Sequence, residues 1–275
     1  MNGTNAEQIE QIFARRRSRR EFARTGVLAC LAATGGAILH QSETVLAQAA
    51  VTDIDILQFA LNLEYLEAEF YTVATTGLTL AQSGFTVTGE GRQGSTTGGA
   101  KVNLSGSTLT AALAIARDEQ AHVRFLQAAL GNHAIAMPSL NLNALGIGFN
   151  SQNEFLTLSR AFEDTGVSAY GGAAPLIRNK VFLGAAAQIA LTEAQHSAAI
   201  RELISQTSGL AVTKVDAKDI LPLGSPGGQL FFADADGLSP VRTTSEVLKI
   251  VLAGGDQRGG FFPDGFNGSG PLNRA

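Results

Sequence analysis

The 275-residue sequence contains one cysteine, no tryptophan and four histidines, and only 16% of its residues are charged. The cysteine, Cys30, lies in the first 49 residues, so a mature chain from residue 50 cannot form an internal disulfide. The formal charge of −4, without a basic stripe beyond the N-terminus, argues against a nucleic-acid-binding surface. No apolar run is long enough to span a bilayer. What remains is a chain with 45% apolar residues, which can bury one substantial core.

Residues 1–49 have the features of an export signal. The basic run Arg15–Arg20 precedes a short apolar stretch over residues 26–39, and Ala47-Gln48-Ala49 offers a small-x-small cleavage site. The pentapeptide SRREF at residues 18–22 resembles the twin-arginine motif. These features predict a twin-arginine signal and a periplasmic or extracellular protein. Two alternatives are a basic amphipathic helix lying on a surface and lipidation at Cys30.

Two copies of a Glu-x-x-His motif stand in strongly helical surroundings. Glu119 and His122 lie in AALAIARDEQAHVRFLQAAL, and Glu193 and His196 lie in QIALTEAQHSAAIRELIS. Residues i and i+3 share one face of a helix, so both side chains of a motif can reach the same point. From residue 50 onward there are three histidines and ten glutamates, so a histidine follows a glutamate at this spacing roughly 4% of the time. Two such motifs are therefore a strong signal.

Apolar periodicity with start and stop signals predicts four long helices. Their approximate bounds are residues 52–76, 107–130, 151–170 and 179–208. Gly171, Gly172 and Pro175 are expected to end the third helix. Residues 77–106, rich in glycine, serine and threonine, form a long loop inserted between the first two helices.

The rest of the chain, residues 209–275, is predicted to be an irregular extension packed on the bundle. Thr243 and Glu246 have the spacing of a capping box and begin its one short helix. The closing GGFFPDGFNGSG is expected to pack through its three phenylalanines, Phe261, Phe262 and Phe266.

An internal repeat relates the two halves of residues 50–208. Glu64 and Tyr71 in the first helix are seven residues apart, as are Glu163 and Tyr170 in the third, while the second and fourth helices carry Glu-x-x-His. The chain is therefore predicted to be all-α, a four-helix bundle of two Glu / Glu-x-x-His hairpins. The repeat selects Glu64 as the inward glutamate of the first helix. Two other glutamates are set aside: Glu67 lies near the edge of the apolar face, and Glu69 points away from it.

Four carboxylates and two imidazoles are the ligand set of a dinuclear carboxylate site. The predicted metal ligands are Glu64, Glu119, His122, Glu163, Glu193 and His196. They are expected to hold two divalent ions, Fe or Mn, with Glu119 and Glu193 as bridges and Glu64 and Glu163 as terminal ligands. O₂ or peroxide is the possible small-molecule substrate of such a site.

The sequence leaves the roles of several neighbours of these ligands undecided. Tyr71 and Tyr170 either donate hydrogen bonds to the ligands, or take part in radical chemistry, or are ordinary core tyrosines. Gly166 either opens space beside the metals or eases helix packing. Four polar neighbours either support the site or lie in solvent: Asp118, Asp164, Thr165 and Gln195.

The segments LNLEYLEAEFY, ARDEQAHVRFL, FEDTGVSAYGGA, ALTEAQHSAAIREL and GGFFPDGFNG together resemble the ferritin-like domain of the desiccation-related proteins of plants and bacteria. The similarity covers about residues 53–270. It implies a ferritin-like bundle, an exported location and an association with stress. The wider superfamily includes ferroxidases, rubrerythrins, manganese catalases and oxygenases, and the fold does not choose among them.

The leading hypothesis is therefore an exported ferritin-like protein with a dinuclear Fe or Mn site that reacts with O₂ or peroxide in protection against drying or oxidative stress. Such a protein is a ferroxidase, a peroxidase or a catalase-like enzyme, and homo-oligomers are possible. The alternative is a non-catalytic structural or interaction protein on the same scaffold. A storage cage and an oxygenase of organic substrates also stay open.

Overall fold

The computed structural model describes residues 51–275, in which four long helices form a bundle. They are α1 (Asp53–Thr76), α2 (Gly106–Leu130), α3 (Gln152–Ala173) and α4 (Lys180–Gln206). Helix α1 packs chiefly against α2, and α3 packs chiefly against α4, as expected of two hairpins. The four-helix bundle of two hairpins predicted from the sequence is confirmed. The predicted export signal lies outside the described residues.

Helix α1 is the centre of the molecule, because it is covered on nearly every side. Its start is fixed by a capping box between Thr52 and Asp55, and its end by Gly77 in the left-handed conformation (φ 82°). Between these caps almost every side chain from Ile56 to Thr75 is buried, polar ones included. The other helices of the bundle, the insertion and the C-terminal extension all contribute to this cover. A helix buried all round is suited to hold carboxylates away from water.

The insertion between α1 and α2 is an ordered flap on the segment that joins α2 to α3. It pairs in parallel with that segment through two short strands, β1 (Thr96–Thr97) and β2 (Leu140–Asn141). Glu69 of α1 points away from the face that carries Glu64, as predicted, but it is buried beneath the flap. Its carboxylate accepts hydrogen bonds from the Leu80 amide, at 2.8 Å, and from the hydroxyl of Thr96.

The prediction that α3 ends at Tyr170 is wrong, since the helix continues through Gly171 and Gly172 to Ala173. The two glycines do not end the helix, and they instead allow the extension to approach α3 closely. A Cβ atom on Gly172 would lie 1.9 Å from the carbonyl oxygen of Arg242, so only glycine lets this part of the extension reach α3.

The extension packs on the bundle through an aromatic cluster and through buried ion pairs. Phe261 and Phe262 are buried, and Phe266 packs against Phe59 of α1. The predicted capping box of Thr243 and Glu246 begins the short helix α5 (Thr244–Val251).

Three arginines bury their guanidinium groups between the bundle and the extension: Arg160, Arg201 and Arg242. The extension is thus an integral layer of the fold. Within residues 51–275, no helix is long and apolar enough to cross a membrane.

Candidate metal centre

The structure brings the six predicted ligands together in the middle of the bundle, and all six side chains are buried: Glu64, Glu119, His122, Glu163, Glu193 and His196. They form two overlapping groups, in each of which one ligand atom per residue lies within 4.8 Å of the others. The first group contains Glu64, Glu119, His122 and Glu193, and the second contains Glu119, Glu163, Glu193 and His196. Both residues of each Glu-x-x-His motif therefore face the same point, as their spacing requires.

Each imidazole faces several carboxylates at once. The Nδ1 atom of His122 lies 3.2 Å from Glu64 Oε2, 3.1 Å from Glu119 Oε2 and 3.3 Å from Glu193 Oε1. The Nδ1 atom of His196 lies 2.8 Å from Glu119 Oε1 and 3.4 Å from Glu163 Oε2. A ring nitrogen carries at most one proton and cannot donate well to three acceptors. Such convergence is typical of ligand atoms that surround a cation.

The four glutamates differ in whether they belong to one of the two groups or to both. Glu119 and Glu193 belong to both groups, whereas Glu64 and Glu163 each belong to one. A carboxylate within reach of two positions can bridge them, and its charge offsets the repulsion between two cations. Glu119 and Glu193 as bridges, and Glu64 and Glu163 as terminal ligands, stay predictions with which this placement is consistent.

The donor atoms fit a pair of metal ions. Buried atoms without a hydrogen-bond partner in the described part of the chain include both carboxylate oxygens of Glu163 and of Glu193, Glu64 Oε2, Glu119 Oε1 and His196 Nδ1. The His196 and Glu119 atoms are close together, but they do not meet in hydrogen-bond geometry. Burying unpaired carboxylates costs several kcal/mol each, and cations offset that cost. Carboxylates and imidazoles suit Fe and Mn.

The pKa values of these groups show the same crowding of negative charge. Burial and the neighbouring charge of Glu64 raise the pKa of Glu119 to about 7. Burial and Glu119 raise the pKa of Glu193 well above its usual range. Burial opposes protonation of His196, but contacts with Glu119 and Glu163 outweigh it and raise the pKa of the imidazole to about 11. Protonation relieves this crowding of negative charge, as a bound cation would, so we expect metal ions and protons to compete for the cluster.

This competition predicts a pH dependence for the metal-free protein. The pKa of Glu119 rises from 4.5 to about 7 on folding, so its contribution to stability is complete below pH 4.5. That contribution is lost as the pH rises through about 7. The Tm gained on adding Mn(II) or Fe(II) should therefore be larger at pH 7.5 than at pH 5. Differential scanning calorimetry with and without a chelator measures it, and an equal gain at both pH values would contradict the expectation.

The two tyrosines of the internal repeat each lie beside the glutamate of the other hairpin. Tyr170 of α3 donates a hydrogen bond to Glu64 Oε1 of α1, which leaves the second oxygen of Glu64 free to face His122. Burial and the charge of Glu163 raise the pKa of Tyr71 well above its usual range, and its hydroxyl has no hydrogen-bond partner in the described part of the chain. Tyr170 thus orients a predicted ligand.

Sequence reasoning missed a fifth carboxylate at the centre, Glu67. It was set aside as lying near the edge of the apolar face, yet it is only 5% exposed. Burial and then the charges of Glu193 and Glu119 raise its pKa well above the usual range. Its place at the centre could have been inferred from its position, because Glu67 follows Glu64 by one helical turn and lies on nearly the same face of α1.

Gly166 of α3 leaves room for two of these carboxylates. A Cβ atom at this position would lie 2.5 Å from Glu193 Oε2 and 3.2 Å from Glu67 Oε1. Of the two roles left open, space beside the predicted metal ligands is the one the geometry supports.

Replacing Gly166 by alanine tests this role. Alanine favours a helix by about 1 kcal/mol over glycine, but here its methyl group would displace the Glu193 carboxylate. We expect Gly166→Ala to lose metal while staying folded. Gly184→Ala in α4 is the matched control, because its Cβ would meet nothing within 4 Å, and it should keep its metal and gain stability. Equal metal contents in the two variants, measured by mass spectrometry, would refute the role.

The four polar neighbours of the ligands have different surroundings. Asp118 Oδ2 lies 3.4 Å from Nε2 of His196, on the side of the ring away from the cluster, where it can fix the orientation of the imidazole. Asp164 pairs with buried arginines instead. Thr165 donates to a backbone carbonyl of its own helix, and Gln195 is exposed and does the same.

Comparison with known proteins agrees with this geometry. The sequence profile of the ferritin-like domain matches residues 52–206, which is more than half of the chain. The ferritin-like catalase Nec2 of Nesocodon mauritianus is 25% identical over 266 aligned residues, which cover 78% of this chain and 84% of that protein. The matched segment contains all four helices of the bundle and all six predicted ligands. The chain belongs to the ferritin-like domain family.

Proposed function

We propose that this protein is an oxidoreductase that holds two Fe or Mn ions and reacts with peroxide or O₂. The observation that carries the proposal is the pair of overlapping buried Glu/His groups, which share Glu119 and Glu193. Two such groups in contact offer two cation positions joined by carboxylates. Bound ions of this kind supply redox equivalents that no amino-acid side chain in the cluster can supply.

The surrounding residues bury the predicted ligands and fix their orientation. The four helices bury the ligands, so that water and bulk reductants are kept away from them. The hydrogen bond from Tyr170 fixes the carboxylate of Glu64, and Asp118 lies against the far nitrogen of His196. Residues fixed in this way need little rearrangement when the ligand set is filled.

Peroxide is the substrate that we favour. The relative from Nesocodon mauritianus is described as a catalase, and it is similar along most of both chains. Disproportionation converts two molecules of hydrogen peroxide into O₂ and two molecules of water. The reaction needs no organic substrate or bound cofactor beyond the ions, and so it suits a buried site.

We further propose that the protein is exported and protects the cell envelope from oxidative or drying stress. The support is the N-terminal sequence, which has a basic run, an apolar stretch and a small-x-small site in the order of a twin-arginine signal. Twin-arginine export carries folded proteins, which suits a protein that takes up its metals before export. Homo-oligomers are compatible with this role.

The experiment is to load the mature chain with Mn(II) or Fe(II) and to measure O₂ release from hydrogen peroxide with an oxygen electrode. Steady O₂ release that is lost in Glu193→Gln would support the proposal. The matched control is Glu202→Gln, since Glu202 lies exposed on the same helix. Loaded protein that neither releases O₂ from peroxide nor consumes O₂ would refute it. The non-catalytic scaffold, with function in the insertion and the extension, would then be the better account.

A further inference from the structure

The outward side of helix α4 is an uncharged surface that faces solvent in the described part of the chain. Between Lys180 and Glu202, which are both exposed, every charged side chain of the helix is buried. The apolar side chains of Val181 and Leu191 on this surface are 76% and 66% exposed. At the rise of an α-helix the surface is roughly 33 Å long. A long apolar surface without charges is typical of a contact with another molecule.

Helix α2 shows that an uncharged outer side is not a general property of this bundle. It is similar in length to α4 and carries the other Glu-x-x-His motif, but Arg117 and Arg124 are exposed on it. On α4, Leu191 and Glu193 lie on different sides, because two residues turn a helix by about 200°. The uncharged surface is therefore the back of a helix whose inner side carries two predicted ligands.

The exposed residues of this surface are arranged symmetrically about Leu191. Ala187 and Gln188 precede it by four and three residues, and both are exposed. Ala194 and Gln195 follow it by three and four residues, and both are exposed as well. If a second α4 lies antiparallel across a two-fold axis at Leu191, each alanine of one copy faces a glutamine of the other. A small side chain then opposes a longer one, which suits close packing of two helices.

The charges at the two ends of the surface follow the same symmetry. Lys180 precedes Leu191 by eleven residues, and Glu202 follows it by eleven residues. In the antiparallel arrangement Lys180 therefore lies beside Glu202 of the partner subunit, and this contact occurs twice. A parallel arrangement would instead place like charges together. The charge pattern thus favours a second copy of this chain, in antiparallel orientation, as the molecule that covers the surface.

We propose that the outward side of α4 is the interface of a homodimer, in which two copies pair antiparallel across a two-fold axis at Leu191. The inference is independent of the proposed function, because it uses none of the predicted ligands. One helix face is at the lower end of the areas that form specific complexes, so the dimer has a Kd in roughly the micromolar range. An exposed ion pair contributes little alone, so loss of a single charge leaves the apolar contact in place.

The first test is sedimentation velocity of the full chain over a range of concentrations, in which the mass should rise from that of a monomer to that of a dimer. Leu191→Glu places two carboxylates on the axis and should weaken pairing by at least about a hundredfold. Leu145→Glu is the matched control, because Leu145 is also exposed but lies between α2 and α3, and it should pair like the wild-type protein. A monomer at every concentration, or equal pairing in the two variants, would overturn the interface.

The second test concerns the antiparallel orientation. Lys180→Glu and Glu202→Lys should each weaken the homodimer by about tenfold, since each creates two contacts between like charges. A mixture of the two variants restores opposite charges at both ends, so the mixed dimer should form with about the affinity of the wild-type protein. Native mass spectrometry separates the mixed dimer from the two homodimers when one variant carries a heavy-isotope label. Homodimers and mixed dimers in the statistical ratio would contradict the orientation.

The third test locates the axis by chemical cross-linking. In the full chain with Cys30→Ser, Leu191→Cys places the only thiol of each copy at the proposed axis. A short bismaleimide should join two such chains, and denaturing gel electrophoresis should show most of the protein at twice the mass of the chain. Leu145→Cys in the same background is the control and should stay at the mass of one chain. Cross-linking that is equally weak or equally strong in both variants would refute an axis at Leu191.

Discussion

Glu119→Gln is expected to strip the protein of both metal ions and to leave it folded. Glu119 lies in both ligand groups, so we predict that its carboxylate contributes to both cation positions. Loss of a residue that merely orients a ligand weakens metal binding by about 10–100-fold, and loss of a shared ligand should weaken it more. Metal content per chain, measured after desalting, should fall from about two to near zero.

Glu119→Gln is expected to lose its metal without losing stability in the metal-free state. Glutamine removes one charge from a cluster of buried carboxylates, so metal-free Glu119→Gln should be at least as stable as metal-free wild-type protein. Metal ions at about 1,000 times their Kd stabilise the wild-type protein by about 4 kcal/mol, and this gain should vanish in the variant. Exposed Glu202→Gln is the control and should retain the full gain. A variant that keeps both its metal and this gain would show that Glu119 is not a ligand.

Arg201→Met is expected to cause the largest loss of stability outside the centre. The Arg201 guanidinium is buried and donates to Asp164 Oδ2 at 2.9 Å and to backbone carbonyls of the extension, among them those of Ile220, Leu221 and Gln229 at 2.8–3.1 Å. Methionine can fill the volume but leaves Asp164 and these carbonyls without their donor. Removal of one partner of a buried ion pair costs about 3–5 kcal/mol.

Urea denaturation measures this loss, and limited proteolysis locates it. We expect cleavage to begin within residues 209–231, where the carbonyls released by Arg201 lie. Asp164→Asn in the same chain removes a buried charge that has lost the nearer of its two arginine partners, and it should recover part of the stability. Arg117→Ala is the control, because Arg117 is exposed, and it should change stability by less than about 0.5 kcal/mol. A loss as small as that of the control would contradict the account of the extension as an integral layer.

The parts of the fold that local sequence determines were predictable. Helix caps and apolar periodicity gave the four long helices, and the i,i+3 spacing of each Glu-x-x-His motif placed both side chains on one face. The internal repeat of glutamate and tyrosine then identified Glu64 and Glu163, which the structure places beside the two motifs. Each of these inferences needs only the geometry of one helix.

The parts that depend on packing between distant segments were not predictable. Glu67 lies near the edge of the apolar face of α1, and only the position of Gly166 on another helix shows that its side chain has room beside the centre. Arg160 and Arg201 lie on helices of the bundle, and both are buried and donate hydrogen bonds to groups of the extension. Gly171 and Gly172 have the composition of a helix end, and they allow a close approach by Val241 and Arg242 instead.

The most direct test of the dinuclear centre is metal analysis of the protein purified from its native cells. We predict about two Fe or Mn ions per chain, and their loss in Glu119→Gln and in Glu193→Gln expressed in the same way. A folded wild-type protein without bound metal, or variants that keep the metal content of the wild-type protein, would contradict the assignment of the buried glutamates and histidines as a dinuclear centre.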